Sequence, residues 1–153
     1  MSRIVRIESA DPSVEAILAA HYQAMAEATP AESCHVMTSE ALRASGARVY
    51  AMASDGGGFC AVGALKPIGG GAVELKSMHV LADARGRGHG RSLLRHLIEE
   101  ARRDGMDVAY LETGSEAGFA SARALYESAG FDYCAPFADY VPDPLSVFMV
   151  RKL

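Results

Sequence analysis

Cysteine is scarce in this chain of 153 residues, and its spacing shows no disulfide or metal-binding pattern. The three cysteines, Cys34, Cys60 and Cys134, are odd in number and form no CxxC pair. A disulfide framework and a zinc knuckle are therefore not indicated. We expect no metal site, and a reducing cytoplasm is the simplest location.

Long apolar runs and an excess of basic charge are also lacking. No stretch approaches the roughly 18 apolar residues of a membrane span, so we expect no membrane association. Lysine and arginine number 15 against 19 aspartate and glutamate, and the net charge of −4 disfavours a broad nucleic-acid-binding surface. Half of the residues are apolar, which suits one globular domain over residues 1–153.

Two common phosphate-binding motifs are missing from the glycine-rich stretch ADARGRGHGRSLL, which begins at Ala82. A P-loop requires a Lys after its last glycine, and this stretch contains no lysine. A Rossmann fingerprint requires GxGxxG, but Arg91 or Leu93 stands where the third glycine belongs. The spacing matches [QR]-x-x-G-x-[GA] instead, through Arg85, Gly88 and Gly90.

Apolar spacing and turn residues predict a mixed α/β fold, with a mostly antiparallel central sheet flanked by helices on both faces. Helices are predicted at about 11–28, at 38–44, after the glycine-rich stretch as far as Gly105, and at 119–130. Strands are predicted at 4–7, 48–54, 58–68, 71–81, 107–113, 131–134 and 146–153. The second to fourth of these strands form an antiparallel meander, because glycine-rich turns separate them.

The strand at 71–81 has a regular alternation of side chains. With a period of two, its residues divide between two faces: Glu74, Lys76 and Met78 on one, and Leu75, Ser77 and His79 on the other.

A strand that leads through a glycine-rich turn into a helix is suited to binding an anion. The first N–H groups of a helix lack internal partners, and the helix dipole adds partial positive charge there. Glycines let these amides approach a phosphate closely, and Arg85, Arg87 and Arg91 add charge beside them. The turn is therefore interpreted as a phosphate site rather than a solvated basic cap.

The glycine-rich motif, followed by ARALYESAGF at 122–131, resembles the GNAT family of N-acetyltransferases, and in particular a subgroup of uncharacterised bacterial members. The resemblance extends over most of the chain. It implies an acetyl-CoA-dependent transfer to the amine of an unidentified, small-molecule acceptor, by direct attack on the thioester. A homodimer is compatible with it.

The resemblance also implies roles for individual residues. Tyr126 matches the tyrosine that protonates the leaving thiolate, and Glu74 lies where several members carry a general base. The implied coenzyme contacts are the pantetheine-pairing strand residues Met78, His79 and Val80, the pyrophosphate loop Arg85, Gly86, Arg87, Gly88, His89, Gly90 and Arg91, and Tyr126. One position departs from the family pattern, because Phe119 stands where an asparagine is frequent.

Other interpretations of these features stay open. Tyr126 could be an ordinary core tyrosine, and His35 and His79 could be structural or could shuttle protons. The loop 137–144 could form a wall of the acceptor site. A non-catalytic acyl-CoA-binding or sensor module would use the same glycine-rich loop, whereas an RNA-binding domain is disfavoured by the acidic balance.

Overall fold

The computed structural model describes residues 3–153, in which seven strands form one sheet in the order β1-β2-β3-β4-β5-β7-β6. The strands are β1 (Ile4–Ile7), β2 (Arg48–Ala53), β3 (Phe59–Gly69), β4 (Ala72–Val80), β5 (Val108–Gly114), β6 (Asp132–Cys134) and β7 (Ser146–Lys152). The α-helices are α1 (Pro12–Ala28), α2 (Ser39–Ala44), α3 (His89–Arg103) and α4 (Ala120–Ser128). Every neighbouring pair is antiparallel except β4 and β5, so the predicted fold class is confirmed.

Local capping explains why the first two helices begin where the sequence predicts. The Asp11 carboxylate accepts hydrogen bonds from the amides of Ser13 and Val14, at 2.9 and 3.2 Å, and Pro12 occupies the first turn. The Thr38 hydroxyl accepts from the amide of Ala41 at 3.1 Å and begins α2. Both caps use only neighbouring residues and can therefore be predicted from the sequence.

Helices cover both faces of the sheet, as predicted. On one face, α1 and α2 pack on inward-facing residues of β2 and β3, among them Val49 and Val62. On the other, α3 packs its Leu93, Leu94 and Leu97 stripe onto β2, β3 and β4, and α4 adjoins the same core. The face with α1 and α2 is called the α1 face below, and the opposite one the α3 face. No helix among residues 3–153 combines the length and apolarity needed to cross a membrane.

The predicted alternation along β4 is wrong beyond Lys76. Ser77 has a φ of +56°, and the register shifts there because two residues of β4 oppose Gly63 of β3. A bulge reverses the parity of all later residues. Met78 therefore lies on the α3 face, beside Leu97, and His79 lies on the α1 face.

The parallel strands β4 and β5 pair only at their beginnings. The ladder joins Ala72–Glu74 to Val108–Tyr110 and goes no further, whereas β5 stays paired with β7 along its whole length. Beyond Glu74, β4 and β5 separate. This opening lies next to the turn that leads from β4 into α3, and it determines where a ligand can enter the sheet.

Candidate active site

The glycine-rich turn joins the end of β4 to the first turn of α3, as predicted. Gly88 precedes the helix in the left-handed conformation, with φ of +80°, and no side chain of residues 3–153 caps the helix there. A Cβ at Gly88 would meet no atom of these residues within 4 Å, whereas one at Gly90 would lie 3.4 Å from Leu125 of α4. The turn therefore leaves open space in front of unpaired helix amides, which is the environment that suits a phosphate.

The arginines of this turn differ in their contacts. The Nε of Arg85 donates a 2.9 Å hydrogen bond to the carbonyl of Val80, which fastens the turn to the end of β4. Arg87 and Arg91 are exposed, as is most of the turn. The structure therefore places residues 85–91 together as one exposed cationic turn, and gives the Val80 carbonyl a partner within the chain.

The opening between β4 and β5 forms a cleft with about 140 Å³ of free volume. Its polar lining includes side chains from different elements, among them Glu74 from β4, Glu112 from β5, Tyr126 from α4 and Tyr140 from the loop before β7. Met78 also lines it. The structure thus brings together the two residues predicted to be catalytic and adds two that the sequence analysis did not select.

Tyr126 is buried, with 8% of its surface exposed, and its ring packs edge to face on Phe131. Its hydroxyl makes no hydrogen bond with any residue from 3 to 153. Burial, together with the nearby charge of Glu112, raises the pKa of Tyr126 to about 12. The phenol is therefore protonated at neutral pH and free to donate a hydrogen bond into the cleft.

Glu74 is 4% exposed and has its charge compensated. One carboxylate oxygen accepts hydrogen bonds from the Tyr140 hydroxyl at 2.6 Å and from the Lys76 ammonium at 3.2 Å. Lys76 also donates to the Tyr140 oxygen at 3.2 Å, which closes a three-membered network. Burial and the bond to Glu74 raise the pKa of Tyr140, so this hydroxyl stays a donor.

Glu112 is a second carboxylate in the cleft, and it forms no ion pair with any residue from 3 to 153. Burial raises the pKa of Glu112 above its usual range. The sequence offered one signal for it, an acidic residue within a strand predicted to be buried. Its partners across the sheet could not be inferred from that strand alone.

The predicted accessory residues are divided between the cleft and its surroundings. His35 lines the cleft, and its Nε2 is buried without a hydrogen-bond partner in the described part of the chain. His79 is not among the residues that line the cleft and instead meets His21 of α1, with 3.1 Å between the two Nδ1 atoms. Burial and the adjacent His79 lower the pKa of His21 to about 4, so the pair is neutral at pH 7. Phe119, the departure from the family pattern, also lines the cleft.

Residues 13–131 match the acetyltransferase (GNAT) family, which covers most of the chain. The chain belongs to this family. It is 44% identical over 133 residues to the uncharacterized N-acetyltransferase YsnE of Bacillus subtilis strain 168, with 87% of each chain covered. It is 36% identical over 142 residues to the uncharacterized N-acetyltransferase YedL of Escherichia coli K12, covering 93% of this chain and 89% of the relative.

Solved structures agree with this GNAT assignment. A candidate acyl-CoA N-acyltransferase from Klebsiella pneumoniae superimposes with a TM-score of 0.80 at 30% identity, covering 100% of this chain and 98% of that one. A Bacillus subtilis acetyltransferase in complex with CoA shares the fold, with a TM-score of 0.71 at 18% identity and coverage of 100% and 99%. The predicted family, fold class and enzyme class, an acyltransferase, are therefore confirmed.

Proposed function

We propose that this GNAT protein transfers the acetyl group of acetyl-CoA to a small-molecule amine by direct attack, with residues 1–153 acting as one catalytic domain. The cleft between the separated strands β4 and β5 is the main observation that supports this function. Two carboxylates line it together with the hydroxyl of Tyr126, which is unpaired among residues 3–153, and the open glycine-rich turn lies beside the helix α4 that carries Tyr126.

The residues present suit coenzyme A. The amides and arginines of residues 85–91 would hold its pyrophosphate, because helix N-termini and cationic side chains both attract phosphate. The edge of β4 that β5 leaves beyond Glu74 offers backbone groups for the pantetheine arm, as in strand addition. When bound, the acetylated coenzyme supplies the thioester carbonyl that the amine attacks.

Tyr126 would serve the leaving sulfur, and a carboxylate would serve the amine. A bond forms between the amine nitrogen and the acetyl carbon, while the bond between that carbon and sulfur breaks. The sulfur leaves hydrogen-bonded to the Tyr126 hydroxyl and takes a proton from it or from water, and the nitrogen loses one to a carboxylate or to water. Holding both reactants in the cleft supplies a large part of the rate, because attack then becomes an intramolecular step.

Two carboxylates can take the proton from the amine. Glu74 stays the predicted base, but Tyr140 and Lys76 both donate to its Oε2, which makes that oxygen a weaker proton acceptor. Glu112 lacks an ion pair within the described chain, and burial raises its pKa, which favours proton uptake. We therefore propose Glu112 as the stronger candidate for the base.

The pH dependence of Glu74→Gln and Glu112→Gln distinguishes these assignments. Loss of the base lowers kcat/KM most near neutral pH, where the free amine is scarce, with partial recovery at alkaline pH. We expect this pattern for Glu112→Gln and a pH-independent loss for Glu74→Gln. The reverse result would assign the base to Glu74.

The function itself is tested by thiol release from acetyl-CoA with a panel of amines, alongside the shift in melting temperature that CoA produces. We expect CoA to raise the Tm, because a ligand that binds only the native state stabilises it. At least one amine should accelerate thiol release. A Tm shift without turnover on any amine would instead identify a non-catalytic acyl-CoA-binding module.

A further inference from the structure

The two faces of the sheet divide the cleft between coenzyme and acceptor. The glycine-rich turn and α4 adjoin on the α3 face, since Gly90 approaches Leu125. Glu74 lies on the α1 face, where Tyr140 and the loop after α1 surround the cleft. Under the proposed function, the coenzyme occupies the first side, and the acceptor therefore enters from the α1 face.

The charges on the acceptor side do not balance. Among the residues of the described chain that line the cleft, the charged ones are Glu74, Lys76 and Glu112. Lys76 is paired with Glu74, and both side chains are nearly buried, at 11% and 5% exposed. Glu112 forms no ion pair with any residue from 3 to 153, so this side of the cleft carries one carboxylate that no contacting cation neutralises, and Lys76 and His35 act on it only from a distance.

An uncompensated carboxylate away from water is costly, and an ammonium group that enters the cleft relieves that cost. A carboxylate or phosphate on the acceptor has the opposite effect. It would approach two carboxylates, and Lys76, the lining cation, already contacts Glu74 and the Tyr140 oxygen. A second ammonium group gains little, because the charge of Glu74 is already neutralised.

The rest of the acceptor side combines an apolar wall with the polar residues His21, Thr29, Ser33 and His35. Met25 from α1, Val36 and Met37 from the following loop, and Leu145 before β7 line it, with the ring of Tyr140 beside them. Such a wall gains free energy by covering an uncharged hydrocarbon or aromatic group. Within residues 3–153 the lining adds no further lysine, arginine, aspartate or glutamate with which a zwitterion or a polyamine could pair.

We infer that the acceptor is a primary monoamine with an apolar or aromatic body and no carboxylate, selected by the unpaired charge of Glu112. This inference rests on the proposed function, since it assigns the substrate class of the same cleft.

The test compares amines with their amino-acid counterparts. Equilibrium titration at about pH 8.5, with saturating CoA, gives Kd values for phenethylamine, phenylalanine, isoamylamine, leucine and spermidine. We expect each monoamine to bind at least about 100-fold more tightly than its amino acid, because like charges in a desolvated site repel strongly. Spermidine should bind no more tightly than isoamylamine.

A matched pair of variants locates the cause. Glu112→Gln should reduce the preference for phenethylamine over phenylalanine at least about tenfold, since the amide no longer repels the carboxylate. Glu116→Gln makes the same change of net charge at an exposed position outside the cleft and should leave the preference unchanged. Binding is measured rather than turnover, so a catalytic role of Glu112 does not affect the result.

Three results would overturn the inference: an amino acid or spermidine that binds as tightly as the monoamines, a preference that survives Glu112→Gln, or no measurable binding of either monoamine. A failure of the proposed function is distinct from these. It would appear as the absence of any CoA-induced Tm shift in the wild-type protein before an acceptor is added.

Discussion

Replacing Tyr126 with phenylalanine separates a catalytic hydroxyl from a structural one. The ring and its packing on Phe131 remain, and the removed hydroxyl has no partner among residues 3–153. The free energy of unfolding should therefore change by less than about 0.5 kcal/mol at neutral pH, because no internal hydrogen bond is lost. Any large effect on turnover must then come from the reaction.

The size of that effect follows from the environment of the hydroxyl. A pKa of about 12 makes full proton transfer to a thiolate, whose conjugate acid ordinarily has a pKa near 8.5, unfavourable by about 3 to 4 units. Tyr126 should therefore act chiefly by a hydrogen bond to the developing thiolate. Such a bond to a charged group contributes about 1.5 to 3 kcal/mol, so kcat should fall about 10- to 100-fold.

The assay is thiol release at saturating acetyl-CoA, with CoA affinity measured separately. Tyr50→Phe is the matched control, since the Tyr50 hydroxyl is buried without a partner among the described residues but lies outside the cleft, where its ring faces His96. We expect the control to keep wild-type kcat and Tyr126→Phe to keep CoA binding. A Tyr126→Phe enzyme with wild-type kcat would refute this reasoning and show that Tyr126 is an ordinary core residue.

Three further predictions address the turn, the network and the histidine pair. Gly88→Glu should abolish the CoA-induced Tm shift, whereas Gly88→Ala should only weaken it, because both side chains strain a φ of +80° but only glutamate adds negative charge. Equal CoA-induced Tm shifts in the two variants would refute the phosphate assignment. Tyr140→Phe should lower the free energy of unfolding by about 1 to 3 kcal/mol in denaturant titrations, since the Glu74 carboxylate loses a buried hydrogen-bond donor. Unchanged stability would show that Lys76 alone is enough to stabilise that carboxylate. The folded-state pKa of His21 is about 4, below its unfolded value, so the free energy of unfolding should fall by about 3 kcal/mol as the pH drops from about 6.5 to 4. The His21→Gln variant should show a weaker pH dependence of stability. An unchanged pH dependence would mean that another group takes up the proton.

Sequence reasoning was reliable where the cause of a structure is local. The helix caps at Asp11 and Thr38 and the turn at Gly88 depend on residues within a few positions, and their elements lie where predicted. The contacts around Glu74 are of another kind, because Tyr140 lies 66 positions away and reaches it only once the sheet is assembled. Glu112 was missed for the same reason: its burial is produced by elements that flank β5 in space.

The bulge at Ser77 was also hidden from the sequence, and it determines how one strand serves both sides of the cleft. In a regular strand, Met78 would share a face with Glu74. The extra residue at Ser77 reverses the parity, so Glu74 faces the acceptor side while Met78 packs with α3 and Val80 approaches Gly90. A non-glycine residue with φ of +56° costs about 1 to 2 kcal/mol, and it lies where β4 has already parted from β5. The backbone strain therefore lies at the opening of the sheet. At this point the proposed transfer needs the Glu74 carboxylate and the coenzyme to lie on opposite faces of β4.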